Sequence, residues 1–280
     1  MSDQLRDRHF VAADALAELV TSGHRVVLLD VLVGASPEQA REAFDAGHLP
    51  GAAPVHLEAD LQAPAAGTAG KRPLPDVPTL QDKVRAWGVT SDAVVVVYDR
   101  FAGTKAGRAW WVLRWAGVPD VRILDGGLDA WTRAGLPTTQ ETARPVPGDV
   151  TLTPGNLPTV TDDDAVGLAA SGRLFDARSP LQFAEGHIPG ARVAPTRGNL
   201  SEDGLLRDAE WIRRRYAALG VDGAQHAAFY CGGAVAAAHG VAVLASIGVA
   251  VALYVPSFGG WSADPERPVA LGDELEAVAP

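Results

Sequence analysis

The feature that most constrains this 280-residue chain is that its pattern is written twice. Phe44-Asp45-Ala46-Gly47-His48-Leu49-Pro50-Gly51-Ala52 returns as Phe183-Ala184-Glu185-Gly186-His187-Ile188-Pro189-Gly190-Ala191, nine consecutive positions without a gap. Leu28-Leu29-Asp30 returns as Leu174-Phe175-Asp176, and Val94 to Tyr98 before Asp99 returns as Ala227 to Tyr230 before Cys231. Gly126-Gly127 pairs with Gly259-Gly260, each ahead of a tryptophan. Four landmarks in one order indicate a tandem duplication, and at this separation the repeated unit is a whole domain. Length agrees, because a single core usually stops growing near ~250 residues. The division is residues 1–140, a connector over 141–157 and residues 158–280. Five prolines between Pro137 and Pro158, with little apolar patterning, make the join an extended surface crossing.

Within each half, short β-branched runs alternate with segments of helical spacing. Val26 to Asp30, Val94 to Tyr98 and Val121 to Leu124 have strand length, while Leu80 to Trp87 and Ala106 to Trp115 have helical periodicity. The second half repeats this with strands at Leu174 to Asp176, Ala227 to Tyr230 and Val251 to Tyr254, and helices at Ala209 to Leu219 and Val235 to Ser246. The pattern predicts an α/β fold of two tandem domains, each a mainly parallel sheet flanked by helices.

Composition narrows the function classes. A formal net charge of −10 argues against nucleic-acid binding, which needs a basic face to release counterions. Any anionic substrate must be held by a local cluster of cations or backbone N–H groups acting against the overall field. Met1 to Phe10 is polar and no window approaches the ~20 apolar residues of a membrane span, so a cytoplasmic, membrane-free protein is expected. The single cysteine forms no internal disulfide.

That cysteine, Cys231, ends an apolar run and precedes Gly232-Gly233-Ala234 and an alanine-rich segment, which reads as strand, loop and helix start. Backbone N–H groups of such a loop, with the positive end of the helix dipole, favour a thiolate. The cradle so predicted comprises Gly232, Gly233, Ala234, Val235 and Ala236. Its duplicate carries Asp99 in place of cysteine, expected to cap its own loop or to pair with Arg100 or Arg108. Asp162-Asp163-Asp164 reads as a helix N-terminus rather than a cation site. Trp110, Trp111, Trp115 and Trp131 read as core and interface.

The G-H-[LI]-P-G-A segments, Tyr230-Cys231-Gly232, Asp125 to Trp131 and Trp261-Ser262-Ala263-Asp264-Pro265 together resemble the tandem rhodanese family of thiosulfate and 3-mercaptopyruvate sulfurtransferases. The resemblance implies that the first domain is catalytically silent and that Cys231 carries a sulfane sulfur as a persulfide. The donor would be small and anionic, and the acceptor cyanide, a thiol or a protein. No metal and no cofactor are implied. Arg178 matches the family arginine that grips the donor, and a structural ion pair with Asp176 or Glu185 is the alternative. Gln182 stands where a second arginine is common, Arg197 is a candidate to compensate, and His48 is a candidate at the edge of the cleft. His187 reads as a turn residue.

The chain departs from the family on several sides. Its loop reads C-G-G-A-V-A, without the hydroxyls of C-G-[ST]-G-V-[TS] or the cations of C-R-K-G-V-T, and Ala234 replaces a glycine. Leu32 stands where an arginine is common. Pro256-Ser257-Phe258-Gly259-Gly260-Trp261 replaces the usual G-S-W-S-E-W. An alternative follows, in which a degenerate rhodanese is a binding or regulatory module with a redox-sensitive Cys231. A phosphatase or arsenate reductase is disfavoured, because the loop has no terminal arginine to clamp a phosphoryl dianion.

Overall fold

The computed structural model describes residues 2–34 and 36–272. The first half has α1 (Ser2–Arg6), β1 (Phe10–Val11), α2 (Ala13–Thr21), β2 (Val26–Leu32), α3 (Pro37–Ala46), β3 (Ala53–His56), α4 (Leu57–Asp60), α5 (Val77–Ala86), β4 (Val94–Tyr98), α6 (Ala106–Trp115), β5 (Asp120–Leu124) and α7 (Gly127–Arg133). The second has α8 (Asp162–Ala170), β6 (Leu174–Asp176), α9 (Pro180–Ala184), β7 (Arg192–Val193), α10 (Ala209–Ala218), β8 (Ala228–Tyr230), α11 (Ala236–Ala245), β9 (Ala252–Leu253) and α12 (Ser257–Trp261). The expected α/β class and the two-sheet arrangement are what the structure has. All strand pairs are parallel, in the orders β1-β5-β4-β2-β3 and β7-β6-β8-β9.

The central runs are apolar on both faces because helices cover both faces of each sheet. Val95 and Val97 point into one core and Val96 and Tyr98 into the other. The edge strands β1, β3 and β7 have no sequence signal because they are two to four residues long. The second sheet retains a trace of β1: Val160 donates to the Leu253 carbonyl and Leu253 to that of Pro158. Between the halves the chain runs extended over the first domain, with Val150 and Leu152 buried against its core and Thr153 bonded to Ala116.

One register shifts relative to the sequence reading. Leu128 N donates to the Asp99 carbonyl and Phe258 N to the Cys231 carbonyl, each at 2.8 Å. Gly127 (φ +62) therefore matches Ser257 (φ +56), not Gly260, and Trp131 matches Trp261, both indoles donating to a proline carbonyl at 2.8 Å. A shared left-handed turn residue aligns the halves more reliably than a shared glycine doublet does.

The two domains share one core through α6 and α11, which cross at Gly107 and His239. A β-carbon on Gly107 would lie 2.6 Å from His239 Cβ and 2.7 Å from its Cα. A second clasp joins Arg6 and Asp125 at 2.7 Å, with Arg6 also donating to the Leu206 and Arg207 carbonyls and Leu206 N to Asp125. Trp110 and Trp111 are fully buried in the shared core. Among the described residues, no helix is long and apolar enough to cross a membrane.

Two predictions follow from the crossing. Gly107→Ala pushes α6 from α11 and should cost about 1–3 kcal/mol in urea unfolding. Burial pushes the pKa of His239 down from 6.5 to about 4. Between those values the unfolded chain binds a proton that the folded chain refuses, so this residue makes stability fall as pH drops from 6.5 toward 4. His239→Asn should flatten that slope by one proton, read from unfolding curves across the same window.

Candidate active site

Cys231 follows β8 directly and is buried, at 4 % exposure, in the core shared by both domains. The loop from Cys231 to Val235 turns sharply into α11 because Ala234 adopts φ +55. An L-residue pays about 1–2 kcal/mol for that conformation. The duplicate shows the turn belongs to the fold: Ala102, at the matching place before α6, also has φ +55.

The duplicate also shows what such a turn holds. The Asp99 carboxylate is fully buried inside its loop, with Oδ1 accepting from Phe101 N (2.7 Å) and Gly103 N (2.8 Å) and Oδ2 from Lys105 N and Ala106 N (2.7 Å each). Four convergent N–H groups offset the cost of burying this anion. Aligned on the two left-handed alanines, Phe101 and Gly103 correspond to Gly233 and Val235. In the second loop the N–H groups of Gly232, Gly233, Val235 and Ala236 donate to no protein acceptor among the described residues. Ala234, counted with the cradle in the sequence, is the exception, since its N–H turns to the Ser257 hydroxyl at 3.0 Å.

Ser257 itself carries no sequence signal beyond its place in a variant motif. Its buried hydroxyl also accepts from Cys231 N (3.4 Å) and donates to the Tyr254 carbonyl (3.0 Å). One side chain on α12 thus ties both ends of the turn. Strain at Ser257 (φ +56) and at Ala234 is held by these bonds and by the Phe258–Cys231 and Gly259–Gly232 backbone pairs.

Cations approach from two directions. Arg178 sits beside the loop, its Cδ 4.0 Å from where a Gly232 β-carbon would be. Its Nε and Nη2 are bonded to Asp176 at 2.6–3.0 Å, Nη2 also donates to the Gly186 carbonyl (2.7 Å), and the guanidinium lies 4.3 Å from the Phe258 ring centroid. In the first domain Arg100 makes the equivalent bonds to Asp30 and the Gly47 carbonyl from the next strand over. Leu32 therefore replaces no lost function there, because Arg100 already fills the site. From the other side comes Arg108, wholly buried on α6, whose Nη2 donates to the Arg72 carbonyl at 3.1 Å while Nε and Nη1 have no partner. Burial, opposed by Cys231 and reinforced by the Arg72 cation, pushes its pKa down to about 10, so it stays charged at neutral pH.

The Rhodanese-like domain family matches residues 12–134 and 161–264. The chain belongs to the rhodanese family of sulfurtransferases. It is 38% identical over 283 residues to the putative thiosulfate sulfurtransferase SseB of Mycobacterium tuberculosis, covering 96% of this chain and 99% of the relative. It is also 38% identical over 262 residues to a probable 3-mercaptopyruvate sulfurtransferase of Pseudomonas aeruginosa, covering 85% and 89%. The crystal structure of SseA from Escherichia coli, described as a 3-mercaptopyruvate sulfotransferase with a rhodanese fold, superposes with a TM-score of 0.76 at 30% identity, covering 88% of this chain and 97% of that one.

The remaining residues singled out in the sequence do not gather at this rhodanese loop. His48 is fully buried, stacked 3.6 Å from Phe44, with Nδ1 bonded to the Phe44 carbonyl and Nε2 to that of Glu141, which leaves no face for a substrate. His187 likewise stacks on Phe183 and bonds its carbonyl through Nδ1, but its buried Nε2 has no partner. Gln182 is exposed, its Oε1 accepting from Ser179 in the capping box of α9. Arg197 is exposed and donates to the Ser201 carbonyl at 3.0 Å. Asp164 closes a capping box with Thr161, and Asp162 pairs with Arg267 at 2.6 Å. No group of three or more His, Cys, Asp or Glu side chains is placed to hold a metal among the described residues.

Ser257→Ala leaves two buried N–H groups without an acceptor and should cost about 1–3 kcal/mol. The loss should be visible as a lower melting temperature and as faster amide exchange confined to residues 231–234 and 257–260.

Proposed function

We propose that this sulfurtransferase moves a sulfane sulfur from a small anionic donor to a thiophilic acceptor through a persulfide on Cys231. The observation that carries this reading is the pair of loops. Where the first domain buries a carboxylate under four N–H groups, the second puts a sulfur at the same place, and the matches of two of those groups, Gly233 and Val235, donate to no protein acceptor among the described residues. A thiolate there attacks the terminal sulfur of thiosulfate, the S–S bond breaks, and sulfite leaves with the bonding electrons. With mercaptopyruvate the C–S bond breaks and the pyruvate enolate leaves. The resulting Cys–S–S⁻ extends the anion by one atom into the ring of N–H donors, which stabilise charge in place without reorganising. Cyanide or a thiolate then takes the outer sulfur and returns the Cys231 thiolate, and neither half-reaction needs a redox partner.

The deciding experiment is intact mass after incubation with thiosulfate and, separately, with 3-mercaptopyruvate, each beside Cys231→Ser. The expected result is a gain of one sulfur atom in the wild type only, discharged by cyanide. A wild type that gains nothing with either donor refutes the reading.

A further inference from the structure

Three glycines that depart from the family pattern, Gly233, Gly259 and Gly260, face one element. A β-carbon on Gly233 would stand 3.0 Å from Arg72 Nη1 and 3.3 Å from Lys71 Cβ. One on Gly259 would meet Lys71 Cγ at 2.8 Å and Cδ at 3.2 Å, and one on Gly260 would meet the Thr68 carbonyl at 2.5 Å. Gly70, with φ +91, lies equally close beneath the Pro256 carbonyl. Side chains are therefore missing from the catalytic loop and from α12 where the segment Thr68 to Arg72 of the first domain lies across them.

That segment brings two consecutive cations. Arg72 is held by Glu58 (Nη2 to Oε1, 2.8 Å), while its Nε is buried without a partner. Lys71 is exposed, and its ammonium makes no ion pair among the described residues. Beneath them Arg108 fastens the segment by donating to the carbonyls of Leu61, Arg72 and Pro73, and keeps Nε and Nη1 free. Together with Arg178, these cations outnumber the carboxylates Glu58 and Asp176 by two, in a chain whose net charge is −10. A guanidinium directed at an oxyanion from a fixed position provides the clamp that the glycines of the loop cannot.

We infer that Arg72, assisted by Lys71, is the donor-binding clamp of this enzyme, supplied by the first domain in place of the loop side chain absent at Gly233, and that it selects a dianionic oxyanion donor of the thiosulfate type. Sulfite leaves without needing a proton, so cations suffice for it. The enolate of a keto-acid donor has only the proton of the donor's own thiol to take up, because the Ser257 hydroxyl, bonded on both sides, has none to give. The inference rests on the sulfurtransferase reading but is tested apart from it. Sulfite and thiosulfate binding to Cys231→Ser protein is measured by calorimetry, with and without Arg72→Gln or Lys71→Ala, and KM and kcat for thiosulfate are measured in the Cys231 background.

Arg72→Gln should weaken both anions about tenfold or more and raise KM for thiosulfate more than it lowers kcat. Lys71→Ala, at an exposed side chain whose loss cannot unfold the chain, should give about a threefold effect that fades with added salt. Gly233→Lys added to Arg72→Gln should restore binding by returning a cation to the loop. Unchanged affinity in both single variants overturns the inference, even where the wild type transfers sulfur normally. A wild type that never forms a persulfide removes the sulfurtransferase reading instead, and the calorimetry still decides whether Arg72 holds the anion.

Discussion

Helices α6 and α11 meet with no side chain between them at Gly107, and the Cys231 loop depends on that contact more than on either sheet. The residue after Gly107 is Arg108. A crossing wide enough for a methyl group would draw this buried guanidinium, fixed to the first-domain carbonyls of Leu61, Arg72 and Pro73, away from the Cys231 loop. Burying an arginine without a carboxylate is costly, and three carbonyls compensate only in part. The cost is sustained because the surrounding core, with Trp110 and Trp111 fully enclosed, leaves the side chain no route to water. A charge held under such constraint is pre-set for whatever negative charge forms on the sulfur.

Duplication let one copy specialise while the other kept the scaffold. Both loops retain the left-handed alanine, the tyrosine that ends the central strand and accepts a backbone N–H (Leu49 to Tyr98, Ile188 to Tyr230), and a carboxylate–arginine pair against a glycine carbonyl. The arginine comes from just after β4 in one copy and from just after β6 in the other. The exchange empties position 232, next to the nucleophile, where the first domain has Arg100. Gly232 thus leaves an open approach to the sulfur while Arg178 keeps the Asp176 anchor.

Much of this was legible before any coordinates. The repeats gave two domains, the strand–Cys–Gly pattern gave the turn, and β4 and β6 fall where their runs begin and end. Other features carried no linear signal. Ser257 works through a backbone conformation that favours glycine, so its hydroxyl looked like an ordinary turn residue. His48 is a candidate at the cleft edge by family resemblance alone, yet its ring fills a slot over Phe44. Arg178 reads in the sequence either as the donor-gripping cation or as the partner of Asp176 or Glu185, and the structure has it paired with Asp176, because a sequence does not show how much of a guanidinium its neighbours consume. Lys71 and Arg72 lay outside every repeat, which is where a part supplied by one domain to the other must lie.

The glycines of the loop motif and of α12 meet the cationic 68–72 segment at one surface. A loop that carries its own lysine or serine needs space above position 233, and a cationic strap lying on that loop needs the same space. The two solutions exclude each other sterically, since a β-carbon at Gly259 already falls within 2.8 Å of Lys71. Restoring a single family residue here therefore adds a side chain against an occupied surface, and only a paired change in the strap makes room. Counting motif residues scores this chain as degenerate, although Lys71, Arg72 and Arg108 of the first domain bring cations to the Cys231 loop.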